Sequence, residues 1–115
     1  MDNCSLNVQY KNGIITVFGK NEFDEIVSSF TMPMSNNVGI IADFIEKIKN
    51  LEPHCKISLD TDSNVEFELD KNILHIYIGD HNSYFKSIIS FVINDKIING
   101  LISLNNIIEE YKNSC

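Results

Sequence analysis

Hydrophobic and polar positions alternate with a period of two over the first third of the chain. Two such patterns, residues 6–11 and 14–18, flank Asn12-Gly13, a pair that tolerates the positive φ angles of a type I′ turn. Pairing Lys11 with Ile14 places Leu6, Val8, Tyr10, Ile15 and Val17 on one face. A third strand, residues 25–32, ends at Pro33, which has no N–H to donate. Along it Ile26, Phe30 and Met32 alternate with Val27, Ser29 and Thr31.

The period then changes to that of a helix. Ser35 is a candidate N-cap, and Pro53 is a typical stop signal just beyond the last turn. The spacing predicts a helix over residues 36–51, with these apolar positions on one side: Val38, Ile40, Ile41, Phe44, Ile45, Ile48 and Leu51.

Four further strands are predicted, at residues 56–60, 65–70, 73–78 and 84–93. Residues 65–70 alternate strictly, and a turn at Lys71-Asn72 brings 73–78 back across them. This register pairs Leu69 with Leu74, Phe67 with Ile76 and Val65 with Ile78, so it is self-consistent. Three- and four-residue spacing then predicts a final helix over 95–112, with Asp95 as a plausible N-cap.

The predicted order is therefore β-β-β-α-β-β-β-β-α in a single domain, residues 1–115. Hairpin connections favour antiparallel pairing, and two amphipathic helices must cover apolar sheet surface. We expect an α+β fold: a curved antiparallel sheet, a half-barrel-like meander, with both helices packed on one face. The opposite face would be open, or half-open as in a split barrel.

Charge narrows the range of partners. The 115 residues have a formal net charge of -7 and contain no Arg. Neutralisation of phosphates provides most nucleic-acid affinity, so nucleic acid is an unfavourable partner, as is an anionic membrane surface. The charge favours a basic protein partner, or serves solubility alone. Three cysteines, no signal peptide and no long apolar run indicate a reduced, cytoplasmic protein.

Two metal-site patterns fail at specific positions. Residues 60–64 match the start of a calcium-binding EF-hand loop, but Val65 stands where Gly is required and Lys71 where a bidentate Glu is required. His54, Cys55 and Cys4 lack the spacing of zinc ligands. The dispersed glycines form no phosphate-binding loop. We therefore expect neither a metal nor a cofactor.

His75 is the best candidate for acid–base chemistry. In the predicted register it lies opposite Glu68, a carboxylate that would favour the imidazolium form, and such a pair is half of a general acid–base site. No nucleophile or third residue completes it. An enzymatic or small-ligand-binding domain that uses His75 and nearby acids in a half-barrel pocket is the alternative hypothesis, although the expectation is a protein that is not an enzyme.

The most distinctive predicted surface lies on the side of the sheet away from the helices. Carboxylates occur there at two-residue intervals, interleaved with Tyr77 and with the aliphatic residues Ile73, Ile88 and Val92. Such a surface either curls and buries its apolar groups or binds another molecule. The predicted partner-binding residues are Asp60, Asp62, Glu66, Glu68, Asp70, His75, Tyr77 and Asp80.

Two strand-helix runs, SSFTMPMSNNVGIIADFIEKIKNLEP and SYFKSIISFVINDKIINGLISLNNIIEEY, frame the hairpins between them. This arrangement resembles the small acidic immunity proteins of bacterial contact-dependent growth-inhibition and polymorphic toxin systems. The resemblance covers most of the chain through element order and contains no diagnostic motif. It implies a cytoplasmic, non-catalytic inhibitor that neutralises a basic toxin, for example a nuclease, by direct binding. We expect a monomer or a 1:1 heterocomplex; a self-assembling module that pairs through an exposed edge strand is a further hypothesis.

Overall fold

The computed structural model describes residues 3–34, 39–59, 65–79 and 85–113, and their side chains except at Pro33 and 85–88. The described elements follow the predicted order. They are β1 (Ser5–Lys11), β2 (Ile14–Lys20), β3 (Ile26–Pro33), α1 (Ile40–Lys49), β4 (His54–Leu59), β5 (Val65–Asp70), β6 (Ile73–Gly79), β7 (Phe85–Val92) and α2 (Asp95–Asn113).

The α+β class and the antiparallel pairing are confirmed, and the strands divide between two sheets. One sheet has the order β1-β2-β3 and the other the order β4-β5-β6-β7. The division falls at α1, which separates β3 from β4 along the chain. Each sheet keeps two edge strands, so neither is closed into a barrel.

The first hairpin forms as predicted. Asn12 and Gly13 have φ angles of 53° and 82°, and Lys11 pairs with Ile14. Only a residue pair that accepts the left-handed region at both positions makes this two-residue turn without strain.

The alternation predicted for β3 is wrong at Ile26. A β-bulge shifts the register between Gly19 and Lys20, so that Ile26 pairs with Lys20. The extra residue in the bulge turns the side chain of Ile26, which precedes it, to the opposite face of the sheet. Phe30 and Met32 are buried as expected, whereas Ile26 is 62% exposed.

Helix α1 is shorter than predicted. It begins at Ile40, after Gly39 in the left-handed region with a φ of 91°, while the predicted N-cap Ser35 lies outside the described residues. At the other end, Leu51 N–H bonds to Ile48 O and Glu52 N–H bonds to Lys47 O. These two bonds form a Schellman motif, whose left-handed position is usually glycine. Here it is Leu51, with a φ of 60°.

Helix α2 begins with a different cap from the one predicted. Asn94, not Asp95, accepts the Ile97 N–H on its side-chain oxygen at 2.9 Å. An N-cap side chain bonds to the N–H two or three residues on, which fits Asn94. The Asn94 amide also donates to the Cys4 carbonyl at 3.0 Å and so ties the start of α2 to the residue before β1.

One hydrophobic core joins both sheets and both helices. Phe44 of α1 lies edge-on to Phe67 of β5, with ring centroids 6.1 Å apart. Gly100 of α2 lies directly on the Leu6 backbone, and Gly19 of β2 lies against the Phe91 ring of β7. The Gly19 contact connects the two sheets, and the shared core leaves one face of the four-stranded sheet turned away from both helices.

Candidate functional site

The candidate site is the face of the β4-β5-β6-β7 sheet that points away from the core. Val65, Phe67, Leu69, Leu74 and Ile76 point inward and are buried, so the residues between them point outward. We call this surface the outer face. Its described residues are His54, Lys56, Ser58, Glu66, Glu68, Asp70, Ile73, His75, Tyr77, Ser90 and Val92.

Five of the eight predicted partner-binding residues lie together on this face. They are Glu66, Glu68, Asp70, His75 and Tyr77, and the predicted pairing of β5 with β6 is confirmed residue by residue. Asp60, Asp62 and Asp80 lie outside the described residues. The EF-hand-like segment, residues 60–64, lies there too.

Glu68 is the centre of the hydrogen-bond network on the outer face. The Tyr77 hydroxyl donates to Glu68 Oε1 at 2.6 Å, and His54 Nε2 lies 2.9 Å from Glu68 Oε2. Both partners reach Glu68 diagonally, since Glu68 faces Lys56 and His75 in the two registers. Diagonal neighbours in a sheet are within reach of long and aromatic side chains.

These bonds favour the charged form of Glu68. The Tyr77 hydrogen bond, and after it the His54 hydrogen bond, lower the pKa of Glu68 from its ordinary value of 4.5. The same hydrogen bond raises the pKa of Tyr77 above its ordinary value of 10.0, because Glu68 accepts the phenolic proton. At neutral pH the pair is therefore an anionic carboxylate bonded to a neutral phenol.

Glu66 has a second set of partners from β4. Its Oε2 lies 3.1 Å from Lys56 Nζ, and Ser58 donates to its Oε1 at 3.3 Å. Glu66 Oε2 is buried and has no hydrogen bond of good geometry among the described residues, so its contact with Lys56 is an ion pair. The Lys56 ammonium also lies over the Tyr77 ring, 5.9 Å from the centroid.

The predicted pairing of His75 with Glu68 is wrong at the side-chain level. The two residues face each other in the register, but His75 Nδ1 lies 2.6 Å from Ser90 Oγ and Glu68 is bonded to Tyr77 and His54. A serine next to a histidine is found in nucleophilic catalysis, where a third group orients the base. Among the described residues, no carboxylate is bonded to the other nitrogen of His75.

The sequence interpretation missed His54, Lys56, Ser58 and Ser90. Three of them come from β4, whose register on β5 depends on a connection too long to define from the sequence. A detectable signal was present: His54, Lys56 and Ser58 alternate with Cys55, Ile57 and Leu59. Continuing the strand two residues back to His54 would have placed all three beside the carboxylates of β5.

The described residues contain no cluster of side chains that could bind a metal ion. No three His, Cys, Asp or Glu side chains there come close enough together to hold an ion. Cys4 and Cys55, two of the scattered candidates, are buried and free, and His54 is bonded to Glu68. None of the helices in these ranges is both long and apolar enough to cross a membrane.

Some apolar side chains away from the outer face are more exposed than those on it. The aliphatic residues on the outer face, Ile73 and Val92, are only half-buried. Phe23, Ile26 and Val27 are exposed by 75%, 62% and 39%, and all three belong to the β2–β3 turn and the start of β3. A separate cavity of 530 Å³ lies beside the end of α1 and is lined by residues that include Ile48, Leu69 and Ile93.

No family model, curated protein or solved structure matches this chain. Function is therefore argued from the geometry of the outer face. That face holds three carboxylates, one ammonium group, two imidazoles and a phenol, most of them fixed by mutual bonds. Such an arrangement exposes polar groups in fixed orientations, and the described residues include no nucleophile beside a base that is itself held by an acid.

Proposed function

We propose that this chain is a non-catalytic binding protein of the immunity type, which neutralises a basic protein, such as a toxin domain, through its outer face. The observation that carries the proposal is the fixed row of carboxylates on β5. Glu68 is bonded to one residue of β4 and one of β6, and Glu66 is bonded to two residues of β4. Asp70 continues the row in an exposed position.

Charge supports a basic partner. The chain has a formal net charge of -7, and among the described side chains of the outer face three carboxylates stand against one ammonium, that of Lys56. Complementary charge accelerates association and discriminates against acidic partners. Glu68 is ionised at physiological pH, and its lowered pKa keeps it ionised to a lower pH than an ordinary glutamate.

Preorganisation supports binding over mere solvation. A side chain that becomes fixed on binding costs about 0.5–1.5 kcal/mol. Glu68, Glu66 and Tyr77 are already held by bonds of 2.6 to 3.3 Å, so much of that cost is met when the chain folds. Tyr77 also provides an aromatic surface, the type of side chain that is enriched among the dominant residues of interfaces.

The compartment belongs to the same proposal. Free, buried Cys4 and Cys55 suit a reducing cytoplasm, where an immunity protein would meet a toxin. No cofactor is required, since the inhibitor acts by covering the toxin's cleft. Each copy of the chain would bind one toxin domain.

The test is co-expression with the product of the adjacent upstream gene. The proposal predicts that the two proteins purify together as a stoichiometric complex, and that the chain protects cells in which the upstream gene alone is toxic. An upstream product that is harmless and does not bind the chain would contradict it.

A further inference from the structure

The four edge strands of the two sheets differ in how they are protected. An edge strand offers unpaired N–H and C=O groups, and natural proteins protect it with lysine, proline, a bulge or a covering element. β1, β4 and β7 each contain a lysine: Lys11, Lys56 and Lys86. In addition, α2 packs on β1 and α1 packs on β4.

β3 has much less protection than the other three. Its sequence, IVSSFTMP, contains no charged residue. Its extensive contacts with other described elements are with β2 alone. The bulge is at its start and Pro33 at its end, so residues 28–32 between them form a regular, uncharged edge.

Three exposed apolar side chains lie next to this edge. Phe23, Ile26 and Val27 are more than one third exposed. The turn that carries Phe23 is held in one shape by Asn21, whose side-chain oxygen accepts the N–H of Phe23 at 2.9 Å and that of Glu25 at 3.0 Å. Several exposed apolar groups close together along the chain are a feature of interaction surfaces.

We infer that a second copy of this chain pairs with the β3 edge, antiparallel about a twofold axis. The strand is self-complementary: any antiparallel register within residues 28–32 places only uncharged side chains opposite one another, and like charges would destabilise such a pair. The acidic residues Glu22, Asp24 and Glu25 precede β3, so antiparallel pairing sets them at opposite ends of the two-strand contact. A twofold axis also closes the assembly at two copies.

This surface is independent of the outer face. It lies on the other sheet, and it requires the chain to associate with itself rather than with a basic protein. Added salt should also change the affinity of self-association and the affinity for a basic protein in opposite directions. Two copies with a net charge of -7 repel each other, so added salt strengthens their association, whereas it weakens binding of an acidic protein to a basic one.

The test uses a lysine on the edge and a matched lysine on the opposite edge of the same sheet. Thr31 of β3 and Gln9 of β1 both pair with Thr16, and both side chains are exposed on the same face. Thr31→Lys and Gln9→Lys therefore add the same charge in the same row of the sheet. Sedimentation velocity over a concentration series, at 50 and 500 mM NaCl, measures the mass of each variant.

The proposal predicts a mass that rises with concentration towards twice the monomer mass for the natural chain and for Gln9→Lys, more readily at high salt. Thr31→Lys should raise the dissociation constant at least tenfold, with unchanged circular dichroism. A natural chain that stays monomeric at both salt concentrations would overturn the proposal. An equal effect of both lysines would also overturn it, because the contact would then lie elsewhere.

Discussion

Leu51 adopts a backbone conformation that its side chain disfavours. Its φ of 60° closes the Schellman motif after α1, yet its side chain is 87% exposed and gains little from packing. A non-glycine residue in the left-handed region costs about 1–2 kcal/mol. The end of α1 therefore carries a local strain that the rest of the fold tolerates.

Replacing this leucine should stabilise the protein. We expect Leu51→Gly to raise the free energy of unfolding by about 1 kcal/mol, because glycine adopts a positive φ without steric cost. The measurement is urea denaturation followed by circular dichroism. Leu51→Ala is the matched control, since it removes the same side chain but keeps the Cβ. A Leu51→Gly variant no more stable than Leu51→Ala would refute the strain.

The bond from Tyr77 to Glu68 predicts how the outer face titrates. Tyr77→Phe removes the hydrogen bond that contributes most to lowering the pKa of Glu68. We expect the pKa of Glu68 to rise towards 4.5 in this variant, as measured by an NMR titration of the Glu68 carboxyl carbon. Tyr10→Phe, on the other sheet, is the control and should leave the pKa of Glu68 unchanged. An unchanged Glu68 pKa in Tyr77→Phe would show that the bond is absent in solution.

The same pair sets a pH window for stability. The pKa of Glu68 is lowered, so its contribution is full above 4.5 and is lost as the pH falls through the folded value. The pKa of Tyr77 is raised, so its contribution is full below 10.0 and is lost as the pH rises through the folded value. Between these limits Tyr77→Phe should be less stable than the natural chain, by about 1 kcal/mol.

At the scale of elements, α2 approaches β1 more closely than a helix with side chains on that side allows. A Cβ at Gly100 would overlap the carbonyl oxygen and the Cβ of Leu6. The helix interior thus gives up about 1 kcal/mol of propensity relative to alanine in return for close packing on the strand.

Gly100→Ala should therefore destabilise the protein despite its better helix propensity. We expect a loss of about 2 kcal/mol, within the range of overpacked cores, because the neighbouring atoms include backbone that cannot rotate away. Thermal unfolding measures it. Ser103→Ala, at an exposed position of the same helix, should change the stability by less than about 0.5 kcal/mol. A stabilised Gly100→Ala variant would mean that α2 lies farther from β1.

Local signals predicted the elements well where a period or a turn pair was strong. Asn12-Gly13 fixed the first hairpin, and the strict alternation of residues 65–70 fixed the register of β5 on β6. The bulge that exposes Ile26 lies within the β2–β3 hairpin, where alternation alone does not reveal an extra residue. The Asn94 cap involves a contact between distant segments. Asn94 is held by the Cys4 carbonyl, 90 residues away, and no local pattern carries that information.

The outer face was predictable only in part for the same reason. Alternation placed Glu66, Glu68 and Tyr77 on one side of two neighbouring strands. Most of the partners that hold these carboxylates come from β4. Ser58 bonds to its opposite neighbour, whereas His54 and Lys56 reach diagonally across the sheet, as Tyr77 does from β6. A strand register predicts which residues lie directly opposite each other. A long side chain, however, can bond either to its opposite neighbour or to a diagonal neighbour, and the register does not decide between them.

At the scale of the whole molecule, two surfaces have opposite character. The outer face of the four-stranded sheet holds charged groups in fixed positions, whereas the β3 edge of the other sheet is uncharged and flanked by exposed apolar groups. The two proposals assign a basic protein to one sheet and a second copy of the chain to the other. Mutations on the two sheets should act independently, because distant sites without shared partners are usually additive.

The central claim, that the row of carboxylates on β5 binds a basic protein, is tested most directly by a charge reversal within that row. Isothermal titration of the purified upstream gene product measures the affinity of the natural chain, of Asp70→Lys and of Glu46→Lys. Both residues are exposed, and both substitutions change the charge equally, but Glu46 lies on α1.

We predict that Asp70→Lys weakens binding at least tenfold while Glu46→Lys leaves it within twofold, since only Asp70 lies on the outer face. Equal weakening by both variants would mean that net charge alone attracts the partner. An unaffected Asp70→Lys, or a natural chain that does not bind, would contradict the proposed role of the outer face.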